Sequence, residues 1–452
     1  MSPLATTLGS RLADAKNRPS GFDYMRLVLA VLVVASHTIN VCYGHKFTQA
    51  VWSGPARAPL ALILPMFFAL SGFLVAGSFE RCRTIVSFCG LRVLRLLPAL
   101  AVDTLIAALL IGPFFTTLPL HQYFTDPEFR AYFLNILGDV HFALPGMFAN
   151  DPWPDAINQQ LWTLPFELAC YVALTIASYA GMAQRPHLLL AASIGANVLL
   201  VALAHRSGSA GMTVHGPMLV LCFFYGVCAY QFRNRIVWSS WLCVLSGLVA
   251  VICLSVRGAD YFAALPAAYL TVFLGLTQPR RHRFVASGDY SYGIFLYGFP
   301  IQQTVAAMLA PAALTWYVHF PISLALTLLF AMMSWHGVEK RALKLRGLLD
   351  RIETACVAYR RRRAGGAISR TGARGPNHEV ADPRMIVRRR GEAAAEIQSR
   401  AIRSGAAGRL CSSRSDTEQR NTTLHPIHPL GRARVFSCRQ DTRSGAKFLT
   451  RI

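Results

Sequence analysis

The stretch Arg26–His37, RLVLAVLVVASH, decides how this chain is read. It lies within an apolar run, Tyr24 to Tyr43, long enough to cross a bilayer as a helix. An arginine and a histidine are costly in such a run, so each calls for a reason. Their separation is about eleven residues, roughly three turns, which puts both on one helix face about 16 Å apart along the axis. Two readings are open. Either Arg26 reaches the headgroups and His37 bonds a neighbouring helix, or the pair performs chemistry.

Working outward, further apolar runs fall at about 58–79, 96–118, 161–181, 187–205, 214–232, 236–256, 261–278, 288–311 and 314–338. Together they predict an all-α, polytopic membrane bundle of about ten transmembrane helices. Composition agrees: 54% of the 452 residues are hydrophobic and 15% charged, which excludes an ordinary soluble domain. With the N-terminus cytoplasmic, eighteen Lys and Arg fall inside against five outside, the bias expected of a multi-pass protein with both termini in the cytoplasm.

Residues 1–20 form a polar N-terminal segment, 21–346 the transmembrane domain and 347–452 a basic tail. From Arg351 onward there are 22 Lys/Arg against 8 Asp/Glu, with RRRR at 360–363 and RRR at 388–390. Such a segment cannot bury enough surface to fold, and it would be drawn to anionic lipid. No motif points to nucleic acid. The eleven cysteines include no CxxC and no Cys/His cluster at metal spacing, so no metal site is expected. The first apolar run lacks a signal-peptide pattern.

One long connection, about 119–160, falls on the expected outer side with Asp126, Glu128, Asp139, Asp151, Asp155 and Trp153. It suits a polar ligand such as a glycan or is an ordinary solvated loop, and Phe129 to Phe148 suggests an interfacial or re-entrant helix. The fourth run enters from that side as QLWTLPFELACY, with Glu167 about 9 Å below the surface. His37, counted from the other side, reaches a similar depth, so the two are expected to be neighbours; Glu167 then orients the imidazole, or it is simply held near the interface by Trp162 and loop waters. Arg92 and Arg95, in GLRVLRLLPAL, share a face at the level of Arg26. Three guanidiniums there suit phosphates, or they are plain cytoplasmic anchors.

These residues carry a resemblance. The R-x10-H of the first run, FFALSGFLVAGS at 67–78, RVLR at 92–95, LWTLPFELACY at 161–171 and SYGIFLYGFPI at 291–301 resemble, in this order, the acyltransferase 3 family of bacterial membrane O-acyltransferases. The resemblance covers about residues 20–346. It implies acyl transfer, with acetyl as the expected group, from cytoplasmic acyl-CoA to a hydroxyl of an extracytoplasmic carbohydrate such as an exopolysaccharide or O-antigen unit. It also implies the bacterial inner membrane, His37 as the essential histidine and Arg92 and Arg95 as the paired arginines. Arg26, Arg92 and Arg95 are then the expected donor contacts, and His37 with Glu167 the expected catalytic pair. In two places the chain departs from the family: Gly298 stands where many members have a histidine, and Arg341 where a proline often follows the glutamate, here Glu339. A transporter or flippase is the competing reading, with Pro98, Pro165, Pro266 and Pro300 in its helices, but no internal repeat relates two halves of the chain. A non-catalytic membrane partner would have little use for His37 and the arginine pair together.

Overall fold

Runs rich in Leu, Val and Ala satisfy their own backbone hydrogen bonds in an apolar medium only as helices. The computed structural model, which describes residues 6–82, 84–206, 214–256, 258–349, 351 and 353–354, is built in that way. Its described residues hold helices and two isolated bridges, Thr7–Val237 and Thr116–Met147, and no strand. Most of the segment 347–452 lies outside the described residues, and with it the expected basic tail.

The helices that matter here are α1 (Leu8–Asp14), α2 (Ser20–Ser53), α3 (Arg57–Arg81) and α4 (Ile85–Ile106). Then come the short α5 (Leu120–Thr125) and α6 (Pro127–Ala131), followed by α7 (Leu164–Tyr179), α8 (Pro186–Arg206), α9 (Gly216–Gln231) and α10 (Ser240–Ser255). The chain continues with α11 (Ala264–Gly275), α12 (Arg283–Ser287), α13 (Ser291–Met308) and α14 (Trp316–Ser334). Among the described residues six helical stretches are long and apolar enough to cross a membrane: Ser20–Ser53, Arg57–Arg81, Ile85–Phe115, Gln159–Tyr179, Pro186–Arg206 and Trp316–Leu349. The apolar runs at 214–232, 236–256 and 261–278 fold as shorter apolar helices. The run at 288–311 becomes α13, made less apolar by Gln302 and Gln303. The polar N-terminal segment is not featureless. Its α1 is closed by a Thr7–Ser10 capping box, and Arg11 lies over the Trp238 ring at 4.3 Å.

The spine is the pairing of α3 with α9. Gly72 and Gly226 face each other's helices so closely that a Cβ on either would overlap the carbonyl oxygen of Phe223 or Ala69. Small residues allow that approach, and dispersion across it replaces a hydrophobic drive that lipid does not supply. The buried ion pair Arg57–Asp260, at 2.6 Å, ties the start of α3 to the turn before α11.

Two local features set up the site. The helix α2 kinks at Gly44, whose φ of +71° suits glycine, and a Cβ there would press on the Pro152 carbonyl oxygen. The kink redirects the stretch His45 to Trp52. The segment between α4 and α7 does not form one interfacial helix over Phe129–Phe148. A 3-10 turn, Tyr132–Leu137, ends at left-handed Gly138, and the rest is irregular chain folded over Tyr123, Tyr132, Leu144, Met147 and Ile157. Buried amides fasten this segment to the bundle: Asn158 donates to Asp103 at 3.2 Å and to Tyr132, and Gln160 donates to the Leu296 carbonyl at 2.6 Å.

Candidate active site

Arg26, Arg92 and Arg95 come from two helices and line one cavity of about 110 Å³, together with Glu167, Tyr171, Ser291 and Tyr292. None of the three is a loose surface anchor. Arg26 and Arg95 reach the same oxygen of Asp289, at 3.0 and 2.6 Å. Arg95 also lies 3.9 Å from the buried Glu339 carboxylate and stands over the Tyr292 and Trp335 rings, each 5.9 Å away. Ser291 donates to the second Asp289 oxygen at 2.6 Å. Burial alone would raise the Asp289 carboxyl, but the Arg95 and Arg26 guanidiniums and Ser291 hold it well below the usual carboxylate range. Arg92 differs. It donates to Ser78 at 3.0 Å, no ion pair among the described residues joins it to a carboxylate, and its buried Nε has no partner there. This leaves Arg92 with the greatest spare capacity for an anion.

His37 lines a second, larger cavity of about 630 Å³. Its ring meets Phe299 edge-on at 5.3 Å. The kinked end of α2 brings in His45, Thr48, Gln49 and Trp52, while the segment before α7 brings in Trp153, Gln159, Gln160 and Trp162. His45 stacks on Trp153 at 3.9 Å, and Trp153 donates to Gln159 at 3.3 Å. Flat aromatic faces among side-chain amides suit a polyhydroxylated ligand, whose C–H faces and hydroxyls require both.

The expected pairing of His37 with Glu167 is not what the side chains do. Among the described residues no hydrogen bond joins them. Glu167 accepts from Tyr171, one helical turn further along α7, and lines the arginine cavity instead. A similar expected depth does not by itself bring two residues together, because both helix faces must also turn toward each other. The five acids of the long connection do not line the His37 cavity; Asp126, for example, accepts from the Glu128 amide at the start of α6. Sequence reasoning missed Asp289 and Glu339. A usable signal existed for Asp289: two guanidiniums in apolar runs require a counter-charge, and it stands two residues before SYGIFLYGFPI. Among the described residues no group of three His, Cys, Asp or Glu side chains is placed to hold a metal.

A family model described as an acyltransferase domain matches residues 20–336. Over 336 residues the chain is 24% identical to the O-acetyl transferase of Shigella phage Sf6, covering 71% of this chain and 95% of that protein. Over 381 residues it is 25% identical to Nodulation protein 10 of Rhizobium leguminosarum bv. viciae, covering 75% and 97%. A stretch of 82 residues is 34% identical to Nodulation protein NolL of Sinorhizobium fredii, or 18% of this chain and 21% of that one. No solved structure matches. Matched by the family model from the start of α2 to the end of the bundle, and carrying several membrane-length helices, this chain belongs to the acyltransferase 3 family and is a multi-pass membrane O-acyltransferase.

Proposed function

We propose that the protein moves an acetyl group from cytoplasmic acyl-CoA to a hydroxyl of an extracytoplasmic carbohydrate, such as an exopolysaccharide or O-antigen unit. It does so in the bacterial inner membrane, with about ten spans, α9, α10, α11 and α13 crossing beside the six long helices, and with both termini in the cytoplasm. The observation that carries this reading is the adjacency of two chemically different cavities, one rich in arginine and one holding His37 among aromatics and amides. Donor phosphates meet Arg92 first, while Arg26 and Arg95 keep the mouth of the cavity in shape through Asp289. The acceptor lies in the His37 cavity, toward the outer face.

In the reaction His37 takes the proton of the acceptor hydroxyl as its oxygen attacks the thioester carbon. The C–O ester bond forms, the C–S bond breaks, and the CoA thiolate takes the proton back from the imidazolium. Glu167 acts in the donor cavity, through Tyr171, and not as the partner of His37. The test is transfer of label from acetyl-CoA to glycan in membrane vesicles containing wild type or His37→Ala at equal abundance. The variant is expected to lose about 10²–10⁴ in rate, the usual worth of a general base. Near-normal product from His37→Ala overturns the assignment.

A further inference from the structure

The two cavities meet at Leu64, Thr163 and Phe295, the three side chains that line both. They come from three helical elements: Leu64 from α3, beside Pro65, Thr163 from the 3-10 turn that opens α7, and Phe295 from α13. Leu64 and Phe295 are partly buried apolar side chains packed on the core cluster beneath α3, and Phe295 is backed by the Phe67 ring at 6.1 Å. The Thr163 hydroxyl is engaged by the Gln160 carbonyl at 3.4 Å. The junction is therefore a mostly apolar collar on rigid supports, between a charged chamber and a polar one.

We infer that this collar selects the acyl group by length. The inference rests on the two-chamber reading above and adds the device that sets donor specificity. Phosphates do not enter an apolar ring, because desolvating them there is too costly. The thioester end does enter, and its carbonyl carbon emerges beside His37 for the exchange of C–S for C–O. An acetyl group passes with the side chains at rest. Each further methylene has to displace Leu64 or Phe295, and a packed apolar pocket discriminates about 10–200-fold per methylene.

The experiment uses the full-length protein in membrane vesicles and compares labelled acetyl-, propionyl- and butyryl-CoA in wild type, Leu64→Ala, Phe295→Leu and Phe295→Ala. Wild type is expected to prefer acetyl over butyryl by about tenfold or more, and the widened collars to reduce that ratio by about tenfold. A ratio that stays unchanged in a folded Leu64→Ala or Phe295→Leu overturns the collar. If wild type transfers none of the three, the enclosing functional reading fails. The collar is then judged on binding of the same acyl-CoAs to detergent-purified protein. A chain-length dependence that flattens in the variants supports it; equal binding of all three donors to wild type, or no binding at all, overturns it.

Discussion

Arg95 and Asp289 meet at 2.6 Å, and the oxygen that Arg95 holds is the one that Arg26 reaches at 3.0 Å. One carboxylate thus joins α2, α4 and the loop that starts α13. The Arg26 guanidinium is held by a partner within the bundle.

The three arginines should fail in different ways. Arg92→Ala is expected to raise the acyl-CoA KM by about tenfold or more, the worth of one charge-assisted hydrogen bond, with the acceptor KM unchanged. Arg95→Ala should lose folded protein first, since it leaves Asp289 with Arg26 alone and takes the nearby guanidinium from the buried Glu339 carboxylate, at a cost of about 1–3 kcal/mol. Kinetics and thermal unfolding of the two variants, measured side by side, check the split. Arg92→Lys should recover only part of the donor affinity, because the planar fork is lost.

Asp289 gives a pH signature. Its folded carboxyl is held below its unfolded value, so its contribution to stability is fully present above about pH 3.9 and is lost as pH falls through the folded value. The Tm gap between wild type and Asp289→Asn should therefore stay constant from about pH 8 to about pH 5 and close only in stronger acid. A gap that closes between neutral pH and about pH 5 contradicts this account.

Gly72→Val is expected to destabilise by at least about 1–3 kcal/mol, because its Cβ meets the Phe223 carbonyl of α9 and backbone cannot yield as a side chain would. Yield of monodisperse protein and its Tm report the loss. Gly195→Ala, with open space around the new Cβ, is the control and should leave both unchanged.

Removal of residues 355–452 should leave transfer and Tm intact. The composition there supplies charge and little apolar surface, and the family match ends at residue 336. Lost activity at normal abundance would show that the segment takes part.

The helical skeleton and the gathering of Arg26, Arg92 and Arg95 at one cavity were legible for one reason. In apolar runs a charge is rare, helical period assigns it a face and the topology a level, so the three could be grouped from the sequence. The hydrogen-bond partner of Glu167, Tyr171, was not foreseen, since depth along a helix carries no information about azimuth. Glu339 was hidden by its surroundings. It sits beside Lys340 and Arg341 like part of a charged end, and the π-turn Trp335–Glu339 shifts its phase in a way that a 3.6-residue period does not anticipate. The walls of the His37 cavity were out of reach, because Trp153 and Gln160 arrive by a fold of irregular chain and not by any repeat.

The close seating of Gly72 on α9 has a wider consequence. The helix α3 contributes Leu60 and Ile63 to one chamber, Phe67, Ser71 and Val75 to the other, and Leu64 to both. Locked against α9, it carries the walls of both chambers on one frame, at the α-helical rise of about 1.5 Å per residue. The spacing of the two chambers along this wall is thus set by the rise of one helix. Any gating falls to the elements facing that frame: the kinked end of α2 and the irregular chain pressed against Gly44.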